Sequence, residues 1–240
     1  MSEVVGVFGD SYACRDFKKY NSTSWVDILA NKFNYNVVCH AKMSTSLFWS
    51  YKQFIKYKDK YSKIIFSITS HDRLYSSSQH ELTYPISSPS TIEMLLNSKT
   101  LQKTDSIYPA LLAAQGYYKY LLEPEYCKWV QAKLIAEIID TCHKESKQLI
   151  MMPMREDDIY CQNIFTSSLL DITNKEQITQ FGDSKFRQEI KSRSCHMSQK
   201  NNLIMATLLD SLLQGKQRTI SLSDFVFEKV DNPELYWKIK

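Results

Sequence analysis

The sequence predicts an α/β fold built on a mostly parallel sheet, and three observations carry that expectation. Short apolar runs, the first of them β-branched, recur along the chain at 4–8, 37–39, 63–68 and 148–152 and read as buried strands. Between them lie longer stretches whose apolar residues repeat at the helical period. The first two runs are separated by one such stretch, which makes a β-α-β unit with parallel strands and a right-handed crossover. Helices covering both faces give a three-layer α/β/α sandwich, and in such folds ligand sites lie at the carboxyl ends of the strands.

Composition narrows the class. A chain of 240 residues with 43% hydrophobic and 23% charged residues reads as one globular domain spanning 1–240. The net charge of +4 is spread along the chain, which argues against a nucleic-acid partner. Met1-Ser2-Glu3 lacks the positive segment of a secretion signal, and no apolar run is long enough to span a bilayer. The expectation is therefore no signal peptide, no membrane partner, and a cytoplasmic or virion-associated location. The six cysteines form no CxxC pair, so free thiols are expected rather than disulfides or a metal site. No cofactor is expected: Gly6-Val7-Phe8-Gly9 does not continue into a GxGxxG fingerprint or a P-loop lysine motif.

Taken in order, Val4 to Phe8 is the first strand and stops at Gly9-Asp10-Ser11, residues that favour a tight turn or a helix cap. Ser22-Thr23-Ser24 offers a cap for an amphipathic helix with apolar residues at 25, 28, 29 and 33. After the second strand, a small-residue loop at 41–46 leads to a helix over 47–57, whose lysines at 52 and 56 read as a solvated face. The third strand delivers Thr69-Ser70-His71-Asp72-Arg73 to the same edge as Ser11. The Ser- and Pro-punctuated stretch at about 74–105 reads as an insertion or lid, with a short helix at 91–96. Helices are expected over 107–122 and 125–147, separated by Pro124, before the fourth strand. Beyond Pro153, helices near 164–170 and 175–181, a helix over 203–213 capped by Ser198, and a strand at 225–227 complete the reading.

On that geometry Ser11 and the loops at 41–46 and 69–73 converge. A serine hydroxyl at a strand end is a candidate nucleophile, but unactivated it is a poor one and requires a base within hydrogen-bond reach. Histidine has the appropriate pKa, and His196, just before a helix, suits a side chain that must project into a cleft.

Four ordered segments, Gly9-Asp10-Ser11, the polar loop after strand two, Thr69-Ser70-His71-Asp72, and Cys195-His196-Met197-Ser198, resemble the blocks of the SGNH, or GDSL-type, hydrolases. The resemblance implies the SGNH-hydrolase-like (flavodoxin-like) version of the sandwich. It also implies a serine that attacks an ester or acetyl carbonyl, a histidine base, and an oxyanion held by the serine N–H, a glycine N–H and an asparagine side chain. Carried over, Ser11 is the nucleophile and His196 the base. Ser44 matches the glycine of the second block, and His71, or Ser70 after a one-residue shift, stands where the asparagine belongs. Asp10 and Arg73 shape the mouth of the pocket. The family's aspartate three residues before its histidine is Arg193 here. Losing the orienting carboxylate costs a serine-protease triad about 10⁴-fold in rate, so the site is expected to be slow, to work as a Ser–His dyad, or to be oriented by another group, Asp183 and Glu189 being the nearest upstream carboxylates and a backbone carbonyl a further candidate. The implied function is a serine esterase or carbohydrate O-deacetylase acting on a small-molecule or glycan ester. The alternative is a catalytically degraded SGNH-like binding or structural module, of viral type for instance.

Overall fold

The computed structural model describes residues 4–15, 23–75, 88–156, 158, 164–181, 197–216 and 218–227. Four strands, β1 (Val4–Phe8), β2 (Asn36–Cys39), β3 (Lys63–Ser67) and β4 (Gln148–Met152), form one sheet in the order β2-β1-β3-β4. Every pairing among them is parallel, with Val5 opposite Val37, Val7 opposite Ile65, and Ile65 opposite Ile150. Parallel neighbours require crossovers, which are supplied by α1 (Trp25–Asn31) before β2, α2 (Leu47–Tyr57) before β3 and α5 (Pro124–Lys144) before β4. The fold is the α/β sandwich that the periodicity predicts.

Side chains alternate across each strand, and the alternation sorts the core into two layers. Val5, Val7, Ile65, Ile150 and Met152 pack on one face with α1 and with α7 (Gln199–Leu213), whose Met205, Leu209 and Leu213 are buried. Phe8, Ile64, Phe66 and Met151 pack on the other face with Phe54 of α2 and with Ile135 and Ile138 of α5. Both faces are covered, which is why the strands read as continuous apolar runs rather than as alternating ones.

Serine hydroxyls set several helix starts. Ser24, Ser46 and Ser198 accept from the backbone N–H groups of Asp27, Trp49 and Asn201, the orphan donors of the first turns of α1, α2 and α7. In the expected insertion, α3 (Pro89–Leu96) and α4 (Tyr108–Gly116) share a small apolar cluster of Ile92, Leu111 and Ala114. The helix expected over 107–122 changes character at Tyr117, where a π-helical turn runs to Leu121. Part of the stretch expected as a lid, 76–87, lies outside the described residues.

Two expectations in the second half are corrected. A single helix, α6 (Leu169–Phe181), replaces the two helices expected near 164–170 and 175–181. Its start is fixed by a reciprocal cap in which Asp171 N donates to Ser168 Oγ and Ser168 N donates to Asp171 Oδ2. Upstream, Ile164 O and Thr166 N are engaged by Ile220 in a parallel bridge, so that segment cannot be helical. The strand expected at 225–227 is not formed either: the N–H and C=O of Val226 are taken by the side-chain amide of Asn201 on α7. Among the described residues, no helix is long and apolar enough to cross a membrane.

Candidate active site

The strand order places the site. From β1 the chain moves outward to β2, then returns to the other side of β1 to make β3, so the sheet switches direction between β1 and β3. Loops leaving those two strands diverge towards opposite faces and open a crevice at their carboxyl ends. Ser11 leaves β1 and Ser70-His71 leaves β3 at that point.

Ser11 sits at the corner of a tight turn. Ala13 N donates to Asp10 O at 3.1 Å, and Tyr12 N donates to Asp10 Oδ1 at 3.0 Å. The turn is anchored to α1 by Trp25 Nε1, which donates to Tyr12 O at 2.7 Å. Ser11 is 8% exposed, and among the described residues its hydroxyl has no hydrogen-bond partner. Of the two expectations for Gly9-Asp10-Ser11, a tight turn or a helix cap, the turn is the one formed: no helix begins at Ser11, and α1 starts at Trp25. Asp10 closes the chain into a turn instead, so any N–H aimed at a developing oxyanion comes from turn amides rather than from a helix end.

Gly9 makes the turn possible. Its φ is +141°, and a Cβ there would stand 2.7 Å from Ser67 Cβ and 2.9 Å from the Ser67 carbonyl oxygen on β3. Gly9→Ala is expected to cost about 1–3 kcal/mol through strain and a forced separation of β1 from β3. Chemical denaturation measures the loss, and an unchanged midpoint would show that the turn tolerates a side chain.

The second loop is stitched to the first. Lys42 N donates to Gly9 O at 3.2 Å, and Thr45 Oγ1 donates to Lys42 O at 2.8 Å. Ser44 lies between them with φ +59°, a left-handed conformation that glycine adopts without steric cost. This is the position that the resemblance aligns with a glycine. Ser44→Gly is expected to preserve the loop and to raise stability by up to about 1 kcal/mol, relief of strain being partly offset by chain entropy. A thermal unfolding series checks it, and a lowered midpoint would show that the Ser44 side chain contributes contacts of its own.

Arg73 joins all three loops. Its Nη1 donates to Asp10 Oδ2 at 2.7 Å and to Thr45 O at 3.2 Å, so one guanidinium from the β3 loop holds the β1 turn and the β2 loop together. Asp10 is fully buried. Burial raises its pKa above the ordinary carboxylate value, while the Arg73 charge and the Tyr12 N–H pull against that rise. Buried ion pairs of this kind are costly to break because the remaining charge is left without compensation.

The two third-block alternatives are in different states. The Ser70 hydroxyl donates to Asp72 Oδ1, which commits its one proton. His71 instead lines a pocket. Burial would raise the Asp72 pKa, but the Ser70 hydroxyl, Arg155 and His71 together bring it below the ordinary value, so Asp72 is a carboxylate at neutral pH. The pocket has a volume of about 170 Å³ and lies between the 71–75 segment, the start of α2 and the first half of α5.

Of the other histidines, His40 is consumed by packing. Its ring stacks on Phe8 at 5.1 Å and on Tyr57 at 4.2 Å, and its Nε2 is 2.6 Å from Tyr61 Oη. Burial and the charges of Lys60 and Lys56 lower its pKa, which keeps the ring neutral. Cys127 lines the pocket beside His71, but burial pushes its thiol up, away from thiolate nucleophilicity. His196, Asp183 and Glu189 lie outside the described residues.

Glu176 escaped the sequence reading. It is 1% exposed on α6, and its Oε2 accepts the N–H of Ser198 at 3.0 Å, fastening the chain two positions after His196. Burial raises its pKa against the hydrogen bonds from Ser198 and Asn201. It lies 22 positions before Ser198 on a poorly amphipathic helix, so spacing carried no signal.

No family model matches the chain, and no curated protein matches it. Among solved structures, the chain is similar to a protein from Desulfitobacterium hafniense DCB-2 assigned to the G-D-S-L family of lipolytic proteins. The identity is 11%, the match covers 69% of this chain and 87% of that one, and the TM-score is 0.26. A likeness of that size carries no weight for function. The class rests on the chain's own sheet order and helix layers: a doubly wound α/β protein with a candidate site at its β1/β3 switch point.

Proposed function

We propose that the protein is a serine ester hydrolase of SGNH type, with Ser11 as the nucleophile and His196 as the base. The observation that carries this reading is the convergence of three strand-end loops on one guanidinium, Arg73, with Ser11 at the corner of the turn that it holds. A turn fixed by Asp10, Trp25 and Arg73 holds a hydroxyl at the switch-point crevice without using the hydroxyl itself, which leaves it free to attack.

In the proposed reaction Ser11 Oγ adds to the ester carbonyl as its proton passes to His196. The tetrahedral oxyanion then collapses to an acyl-serine, expelling the alcohol, which takes the proton from the histidine. Water repeats the sequence and releases the acid. The Ser11 N–H, the Ser44 N–H and the His71 imidazole are the candidate oxyanion donors. The commitment of the Ser70 hydroxyl to Asp72 supports His71 over Ser70 for the third role. Asp10 and Arg73 are positioning residues, and Asp183 or Glu189 is the candidate orienting acid for His196. An acetylated carbohydrate fits as the substrate class.

The test is turnover of 4-nitrophenyl acetate by the purified protein, with His196→Ala as the comparison. The reading requires hydrolysis above the buffer rate that falls on the order of 10³-fold or more in the variant. No turnover by the unaltered protein would instead favour a non-catalytic binding module, the reading that the departures at Ser44, His71 and Arg193 support.

A further inference from the structure

The starts of α1 and α7 lie side by side, and the contact between them is polar where the layer below is apolar. Thr23 N donates to the side-chain oxygen of Gln199 at 2.8 Å. Asn202, 7% exposed on the first turn of α7, uses both ends of its amide. Its Oδ1 accepts from Trp25 N at 3.1 Å, and its Nδ2 donates to Met197 O at 2.9 Å and to Ser198 O at 3.0 Å. The partners fix the orientation of the amide, since a backbone N–H must face its oxygen and two carbonyls must face its nitrogen.

These bonds complete a strut between two distant parts of the chain. Trp25 also donates from its indole Nε1 to Tyr12 O at 2.7 Å. Tyr12 follows Ser11, and Met197 follows His196. The carbonyl one residue after the nucleophile and the carbonyl one residue after the base are therefore each held by a donor of the Trp25–Asn202 pair. Glu176 secures the same segment through the N–H of Ser198.

Packing does not require this arrangement. Ile28 and Leu29 of α1 and Met205 and Leu209 of α7 already share one apolar layer, and an apolar side chain at 202 would extend it with no amide to dehydrate. A buried, hydrogen-bonded amide instead fixes one geometry, because its bonds weaken steeply when either backbone segment shifts. General-base catalysis needs that precision. The base must lie within hydrogen-bond reach of the hydroxyl, and a misplacement of about 1 Å can cost on the order of 10²-fold in rate.

We propose that Asn202 is a positioning residue of the ester hydrolase, setting the spacing between Ser11 and His196 through Trp25 and the Met197 carbonyl. The inference rests on the hydrolase reading above and adds to it a residue that touches neither the substrate nor the reacting atoms.

The test is the rate at which a fluorophosphonate labels Ser11 in folded protein, read together with the labelled fraction at completion. Asn202→Asp keeps the size of the side chain and an oxygen for Trp25 N–H, but sets a carboxylate oxygen against the Met197 and Ser198 carbonyls. A carboxylate suits the first turn of a helix, so this variant is expected to fold. Trp25→Phe breaks the strut at its other end by deleting the indole N–H. Both variants should label to completion, one adduct per chain, but about 10-fold to 100-fold more slowly than the unaltered protein. The same factor is expected in kcat for 4-nitrophenyl acetate, with KM little changed. Leu209→Ala is the control: it destabilises the core and should label at the unaltered rate. A merely structural role for Asn202 would lower the labelled fraction and leave the rate unchanged. Labelling of Asn202→Asp at full rate overturns the inference and leaves Ser11 a nucleophile, as does full-rate labelling of Trp25→Phe should Asn202→Asp not fold. Slowing of Leu209→Ala to the same extent overturns it as well. An unaltered protein that takes no label removes the hydrolase reading, and the positioning role with it.

Discussion

Ser11→Ala is expected to leave the fold intact and to remove ester hydrolysis. The turn around position 11 is held by Asp10, Ala13 and Trp25 through backbone, carboxylate and indole groups, none of which is the Ser11 hydroxyl. Stability in urea should therefore change by no more than about 0.5 kcal/mol, as for a substitution that breaks no contact. Hydrolysis of 4-nitrophenyl acetate should fall on the order of 10³-fold or more, the scale on which nucleophile removal acts in serine hydrolases. The two readouts together separate a chemical role from a structural one. An alanine variant with full activity would remove Ser11 from the mechanism, and an unfolded one would show that the hydroxyl supports the turn.

Arg73→Ala has the opposite profile, with a large loss of stability. Asp10 is completely buried, and its guanidinium partner is largely buried as well. Deleting the partner strands a carboxylate in the core, with an expected loss of about 3 kcal/mol at pH 7. The pH dependence identifies the cause. Burial already raises the Asp10 pKa and Arg73 opposes it, so without Arg73 the pKa in the folded state climbs further. A carboxyl with a raised folded pKa favours the folded state at pH values below its unfolded value, and that advantage is lost as pH rises through the folded pKa. The stability gap between Arg73→Ala and the unaltered protein should therefore be widest at neutral pH and shrink on acidification, as measured by urea unfolding at a series of pH values. A gap independent of pH would mean that the loss came from the Thr45 contact or from packing. Arg73→Lys keeps the charge, gives up the planar fork that reaches Thr45, and is expected to fall between the two.

The sequence carried the fold well because its signals were strong and local. Four short apolar runs became the four strands, and Ser24, Ser46 and Ser198 capped the helices that they precede. It failed where tertiary contacts override local pattern. Phe225-Val226-Phe227 has the composition of a strand, but the buried amide of Asn201 satisfies Val226. The 164–170 segment has helical spacing, but Ile220 draws its first half into a bridge.

At the site, the convergence of the Ser11, 41–46 and 69–73 loops followed from strand order alone, and the left-handed backbone of Ser44 falls where a glycine block was aligned. Three features needed coordinates. That Arg73 reaches both other loops depends on side-chain reach across 63 positions of sequence. Glu176 meets Ser198 only because α6 packs beside the entry to α7. The stacking of Tyr126 on Trp129, three positions apart on α5, is a matter of ring orientation that residue spacing does not fix.

The central claim is that Ser11 is a nucleophile, and covalent trapping tests it most directly. The folded protein is treated with a fluorophosphonate, which phosphonylates activated serine hydroxyls, and the digest is mapped by mass spectrometry. The account predicts one adduct, on the peptide containing Gly9-Asp10-Ser11 and located at Ser11, and none in denatured protein. An unmodified Ser11 in protein that remains folded, or an adduct on another serine, would contradict it.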